Sequence, residues 1–361
     1  MSHGLVKIIY VLGSFSGIFP SQAKFLVKRV HLVTLILTDI LGTISIMCEV
    51  NLTFSHTQLS LEDLWLLQFF LVWPMFIAVC LYNACKNIEI WNTFFEMMKQ
   101  VNNMKLKTRK SKKIILLLLL VFVFASLSVY LMVQRGKERC NVYIFGLIFW
   151  LILISNIVFL TIMTNETCHS ISNTYIGLKM LLEETYNIDN IIKDESPQNV
   201  TAERQVLQNI TDTIVSLYKC VVILNTILGK IILMFFVLTF VDVLAFVNIC
   251  LIVIKHYNTE LLSIHFGNIL ESVSFLVFSL AIILSCDKVE KTSKELINTC
   301  TYIYASKGSE DALMLLNLAK ELRPKFTAAG FFEINQRLLP TFLSNLSTYL
   351  IIILQFKFSA L

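Results

Sequence analysis

The sequence predicts an all-α membrane protein with seven transmembrane helices, a cytoplasmic N-terminus, an extracellular C-terminus and a cytoplasmic helical anchor domain. Three observations carry this reading. Of 361 residues, 56% are hydrophobic and only 15% charged, whereas soluble domains run nearer about a quarter charged. Seven segments are apolar over the roughly 20 residues that a helix needs to cross a bilayer. Finally, 25 of the 30 Lys and Arg fall on alternate connecting segments, and basic connections stay on the cytoplasmic side. Twenty-seven Phe against five Pro and 11 Gly favour long helices over barrel strands, whose short alternating segments do not occur here.

Residues 1–29 read as a cytoplasmic N-terminal segment. The stretch "GLVKIIYVLGSFSGIFP" is interrupted by Lys7 and by glycines, ends at Pro20 and shows no small-residue cleavage site, so it is an amphipathic lead-in and not a signal peptide. Residues 30–163 hold transmembrane helices 1–4, at about 30–52, 62–83, 114–134 and 143–163. The basic block "KLKTRKSKK" at 105–113 precedes the third span. Cytoplasmic placement beside lipid head groups explains it, and no nucleic-acid partner is needed.

Residues 164–230 are a cytoplasmic helical segment leading into span 5. It carries a seam at spacing three and four: Leu207, Ile210, Ile214, Leu217, Val221, Leu224 and Leu228. Such a seam is either an amphipathic stripe packed on neighbouring helices or a subunit interface below the membrane. Residues 231–286 hold helices 5 and 6, at 231–254 and 266–286. Residues 287–337 are the cytoplasmic helical anchor, in which "KGSE" separates two amphipathic stretches. Residues 338–361 hold helix 7, at 338–356, and a short extracellular C-terminus. This orientation leaves Asn51 as the glycosylation acceptor on the outer side and puts the sequons at Asn165, Asn199 and Asn209 inside.

The chain lacks the signatures of enzyme chemistry. It has no phosphate loop, HExxH, GxSxG or dinucleotide fingerprint. The nine cysteines include no CxxC pair, and the six histidines have no metal-ligand spacing. An enzyme, a metal centre and a cofactor are therefore not expected. Most thiols read as buried and free, while Cys140, in a short outer loop, leaves a disulfide open. Polar groups inside spans say more. Asp242 lies near the middle of span 5, where it should face a cavity or a partner, and Glu271 lies near the outer end of span 6. Trp65, Phe69, Tyr130, Tyr143, Trp150, Phe246 and Phe275 fall in the outer halves of their spans. Together with Asn268, these residues are candidates for a small-molecule pocket. An interfacial aromatic belt accounts equally well for Trp65 and Tyr143.

The last span ends "TYLIIILQF", 348–356. At 100° per residue, Thr348, Ile351, Ile352 and Gln355 share one face. Tyr349 and Phe356 lie on its flank, and Leu350 and Leu354 on the far side. Two explanations fit this stripe. Gln355 holds a neighbouring helix by hydrogen bonding, or the face lines water beside a hydrophobic constriction that gates by dewetting.

This ending resembles the Thr-Tyr-(five apolar)-Gln-Phe signature of insect gustatory receptors. The wider stretch "FTAAGFFEINQRLLPTFLSNLSTYLIIILQF" (326–356) is similar to that family's ending, and "GIFP" (17–20) to an element near their N-termini. The resemblance implies a ligand-gated, nonselective cation channel in the plasma membrane of sensory neuron dendrites. It implies a homo- or heterotetramer with related subunits, with membrane lipid, permeant cations and a small-molecule tastant as partners. By the motif, Thr348, Ile352 and Gln355 are pore-face residues, and the wheel adds Ile351. Tyr349 and Phe356 flank them. Sugar receptors of the family typically carry Glu after the Thr-Tyr pair, where this chain has Leu350, so a bitter plant compound is the expected tastant and fructose or another sugar the alternative. A G-protein-coupled receptor is a competing seven-span reading, but the chain lacks the Asp/Glu-Arg-Tyr and NPxxY motifs. A secondary transporter is another, but no internal repeat is evident.

Overall fold

The computed structural model describes residue 40 and residues 72–86, 88–103, 140–186, 197–256 and 259–359. Trp65, Phe69, Tyr130 and Asn51 lie outside them, as do span 3 and all of span 1 except Ile40.

Helix α1 (Trp73–Lys86) buries Trp73, Phe76, Ile77, Cys80, Leu81 and Ala84, the i, i+3, i+4, i+7 stripe of a helix packed on one side. Helix α2 (Ile88–Asn103) buries Trp91, Phe94 and Met98 and turns Glu89, Thr93, Glu96 and Lys99 outward. Its apolar stripe is far more one-sided than that of the long apolar helices and its mean hydropathy is too low for a span, so it is an amphipathic helix in what reads as the second cytoplasmic segment.

Three helices dominate the molecule: α3 (Cys140–Tyr186), α4 (Pro197–His256) and α5 (Thr259–Lys307). The 60 residues of α4 extend roughly 90 Å at the usual rise, against a hydrocarbon core of about 30 Å. Each of the three therefore has an apolar part long enough to cross a membrane, within Leu151–Tyr186, Arg204–Val247 and Ile269–Lys307, and continues well beyond it. Hydroxyls in the apolar parts bond back to their own helix, as Thr161 Oγ1 does to the Ile157 carbonyl at 2.8 Å and Thr239 Oγ1 to that of Phe235 at 2.9 Å. This satisfies Thr161 within its own helix, and Thr239 adds a bond across to Ser279.

Helix α4 is the hub. It touches α1, α2, α3 and α5, and also the segments that follow α5. All seven seam residues from Leu207 to Leu228 are buried within the single chain. The seam is therefore an internal packing stripe, which removes the subunit-interface alternative for these residues.

The expected turn at "KGSE" forms. The Gly308 amide donates to the Tyr304 carbonyl at 2.8 Å, with Gly308 at φ +63°. Ser309 then caps α6 (Glu310–Glu321), its hydroxyl accepting from the Ala312 amide, with Glu310 and Asp311 in the first turn. The rest of the anchor departs from the all-helical expectation. Residues 327–333 form a small antiparallel hairpin, β1 (Thr327–Ala328) against β2 (Phe332–Glu333). Ala329 at φ 53° and Gly330 at φ 82° make its turn. Helix α7 (Leu338–Ser359) closes the chain.

Candidate functional site: the last helix and the seam above its base

Among the described residues, helix α7 docks on α4 by one face. Phe240 of α4 sits between Phe342 and Tyr349 of α7, each ring centroid 5.6 Å away and edge-on at 80°. Leu346, Leu350 and Leu354 are half-buried on the same side. The opposite face is open in the single chain: Leu343 is 61%, Ile351 53% and Ile352 39% exposed, and Thr348 and Gln355 are exposed with them. The Thr348 hydroxyl bonds the Ser344 carbonyl at 3.0 Å and that of Ser347 the Leu343 carbonyl at 2.9 Å. The open face is thus apolar over Ile351 and Ile352, with internally satisfied hydroxyls and exposed amides at Asn345 and, near its end, Gln355. Of Phe356, only the backbone position on this helix is described.

The pocket candidates divide into two sets. Asp242 and Phe246 lie one turn apart on α4, and Glu271 and Phe275 one turn apart on α5, along the stretch where the two helices pack. Asp242 is buried, and its carbonyl accepts from Ser272 Oγ at 3.5 Å. Phe275 is fully buried against Phe235, 6.2 Å away and edge-on at 74°. One turn further in, Thr239 and Ser279 share a hydrogen bond at 3.0 Å. Phe246 and Glu271 are half-buried. Tyr143 and Trp150 lie on α3 and Asn268 on α5, where only the backbone is described. Among the described residues no cluster of His, Cys, Asp or Glu fits a metal ion.

The machinery that positions α7 was not singled out in the sequence. Asn225 of α4 grips the hairpin with both ends of its amide. Its Nδ2 donates to the Lys325 carbonyl at 2.7 Å, and its Oδ1 accepts from the Thr327 amide at 3.1 Å. At Gly229 a Cβ would stand 2.9 Å from the Ala329 nitrogen and 3.1 Å from the Thr327 carbonyl oxygen. Beneath α7, Asp287 pairs with Lys291 at 2.7 Å and accepts from the Gln336 amide at 3.3 Å. Lys291 also donates to Gln336 Oε1 at 3.0 Å, and Arg323 pairs with Glu290. The one sequence signal was Asn225 itself, a polar residue directly after the seam's Leu224.

A family model described as "7tm Chemosensory receptor" matches residues 6–360. No curated protein matches in sequence. The fold is similar to that of the insect olfactory receptor OR5 from Machilis hrabei, with a TM-score of 0.69 at 16% identity and 98% of both chains covered. It is similar also to the same receptor in complex with eugenol, with a TM-score of 0.67 at 16% identity and the same coverage.

Proposed function

Because the chain belongs to the 7tm chemosensory receptor family, we propose that it is a gustatory receptor, a ligand-gated nonselective cation channel opened by a small-molecule tastant. One observation carries the channel reading: α7 is docked by one face and presents Thr348, Ile351, Ile352 and Gln355 on the other. In a tetramer with the N-terminus inside, four such faces around an axis make an apolar constriction with a ring of amides near its outer mouth. The "TYLIIILQF" ending supports the gustatory branch.

For the ligand, the aromatic rings of Phe246 and Phe275 and the carboxylates of Asp242 and Glu271 on α4 and α5 support a small, largely apolar molecule. The similar receptor was solved with eugenol, a small aromatic compound, which agrees in kind. With Leu350 after the Thr-Tyr pair, a bitter plant compound is favoured over a sugar. The test is whole-cell recording and calcium imaging of cells expressing the chain, alone and with related subunits, against bitter compounds, sugars and odorants. Bitter-evoked cation currents are expected. Responses to sugars alone would reassign the ligand, and carrier-rate fluxes in place of channel currents would overturn the mechanism.

A further inference from the structure

A cavity of 530 Å³ opens between the end of α1, the middle of α4 and the hairpin turn, lined by Tyr82, Asn83, Lys86, Thr226, Lys230 and Gly330 among others. Among the described residues its lining includes two lysines and no carboxylate. The other cavities near the anchor differ. In one, Lys179 is paired with Glu295 at 3.4 Å. In another, Lys291 and Arg323 are paired with Asp287 and Glu290. Here, among the described residues, no acidic side chain answers Lys86 or Lys230.

The donors are arranged for an anion. Lys86 Nζ donates to the Tyr82 hydroxyl at 2.8 Å, and that bond raises the Lys86 pKa above its ordinary value. The ammonium stays charged and keeps two further protons to donate. Tyr82, accepting from Lys86, still has its own O–H to donate. Lys230 faces the same space from α4 with three donors. Height matters too. Lys86 lies just beyond the span read at 62–83 and Lys230 just before the span at 231–254, so both mark the cytoplasmic surface of the membrane, where anionic head groups concentrate.

We propose that this cavity holds a phosphate group between the Lys86 and Lys230 ammonium groups at the cytoplasmic surface of the membrane. The phosphate comes either from a phosphorylated lipid headgroup or from a soluble phosphate. Its occupancy bears on the hairpin turn, which Asn225 and Gly229 hold against α4 and which leads eight residues later, from Gly330, into α7 at Leu338.

The test uses the full-length receptor in phosphatidylcholine nanodiscs. Two probes are compared on the wild type, K86Q/K230Q and K86R/K230R: phosphatidylinositol 4-phosphate with a fluorescent tail, against equally labelled phosphatidylcholine, and inorganic phosphate followed by ³¹P line broadening. Enrichment of the phosphorylated lipid on the wild type and K86R/K230R, weakened about tenfold or more in K86Q/K230Q at roughly a factor of five per lysine, assigns a lipid source. Broadening of inorganic phosphate that K86Q/K230Q abolishes, without lipid enrichment, assigns a soluble source. Equal behaviour of wild type and K86Q/K230Q with both probes overturns the site. The single variants K86Q and K230Q, each altering an exposed side chain, give the same comparison if the double variant does not assemble.

Discussion

Gly229 has no side chain at the point where α4 meets the hairpin, and that absence is required. A Cβ there would contact two backbone groups, at 2.9 and 3.1 Å, and backbone cannot swing aside as a side-chain end can. Gly229→Ala should displace the hairpin at a cost of about 1–3 kcal/mol, seen as a lower melting temperature and faster amide exchange over 327–333. Unchanged exchange would show that the hairpin is not seated through this contact. Gly308 makes the contrast. It sits at φ +63° with open space around it, so Gly308→Ala should cost only the backbone strain, about 1–2 kcal/mol. At the other end of the molecule, Gln355 is exposed on the open face of α7. Gln355→Ala should change relative cation permeability or the ligand midpoint while surface expression persists. Unaltered currents from a well-expressed variant would return Gln355 to a packing role.

Among the elements, α7 is held by a ring cluster at one side and a polar link at its base. Phe240 contacts both Phe342 and Tyr349, and edge-to-face pairs add roughly 0.5–1.5 kcal/mol each beyond their buried area. Phe240→Ala and Tyr349→Ala should each lower thermal stability. The double variant should lose less than the sum, with a coupling of about 0.5–1.5 kcal/mol in a double-mutant cycle. Strict additivity would mean that the two rings do not support one another. This contact also explains what the sequence could and could not disclose. The wheel separated the docked side of α7 from Thr348, Ile351, Ile352 and Gln355 because burial on a helix repeats at 3.6 residues. The seam of α4 was legible for the same reason. The hairpin was not, because its two-residue strands carry no period. It is held by Asn225, about a hundred residues earlier in the chain, and by the close approach at Gly229. Long-range contacts of that kind leave no local pattern. The phosphate cavity was hidden likewise, since Lys86 and Lys230 are ordinary span-flanking lysines until folding brings them to one cavity.

At the scale of the whole molecule, orientation decides whether the exposed Gln355 amide on α7 faces outward and whether the long ends of α3, α4 and α5 form a body in the cytoplasm. The distribution of Lys and Arg argues for that arrangement. The sequon at Asn165 is a weak probe of it, because Asn165 lies within α3 and its Oδ1 accepts from Ser285 Oγ of α5 at 2.8 Å. That side chain is engaged in helix packing whichever way the chain is inserted. The turn at Gly308 is a better reporter. It joins α5 to α6, is exposed, and would offer an added side chain open space, so a short epitope inserted there should leave both helices intact. With the N-terminus inside, the epitope at Gly308 should stain only after permeabilisation, while one attached after α7 should stain in intact cells. Staining of the Gly308 epitope in intact cells would invert the chain. The Lys86–Lys230 cavity would then face the exterior, Gln355 would lie at the cytoplasmic end, and the seven-span receptor reading with an outer N-terminus would replace the channel.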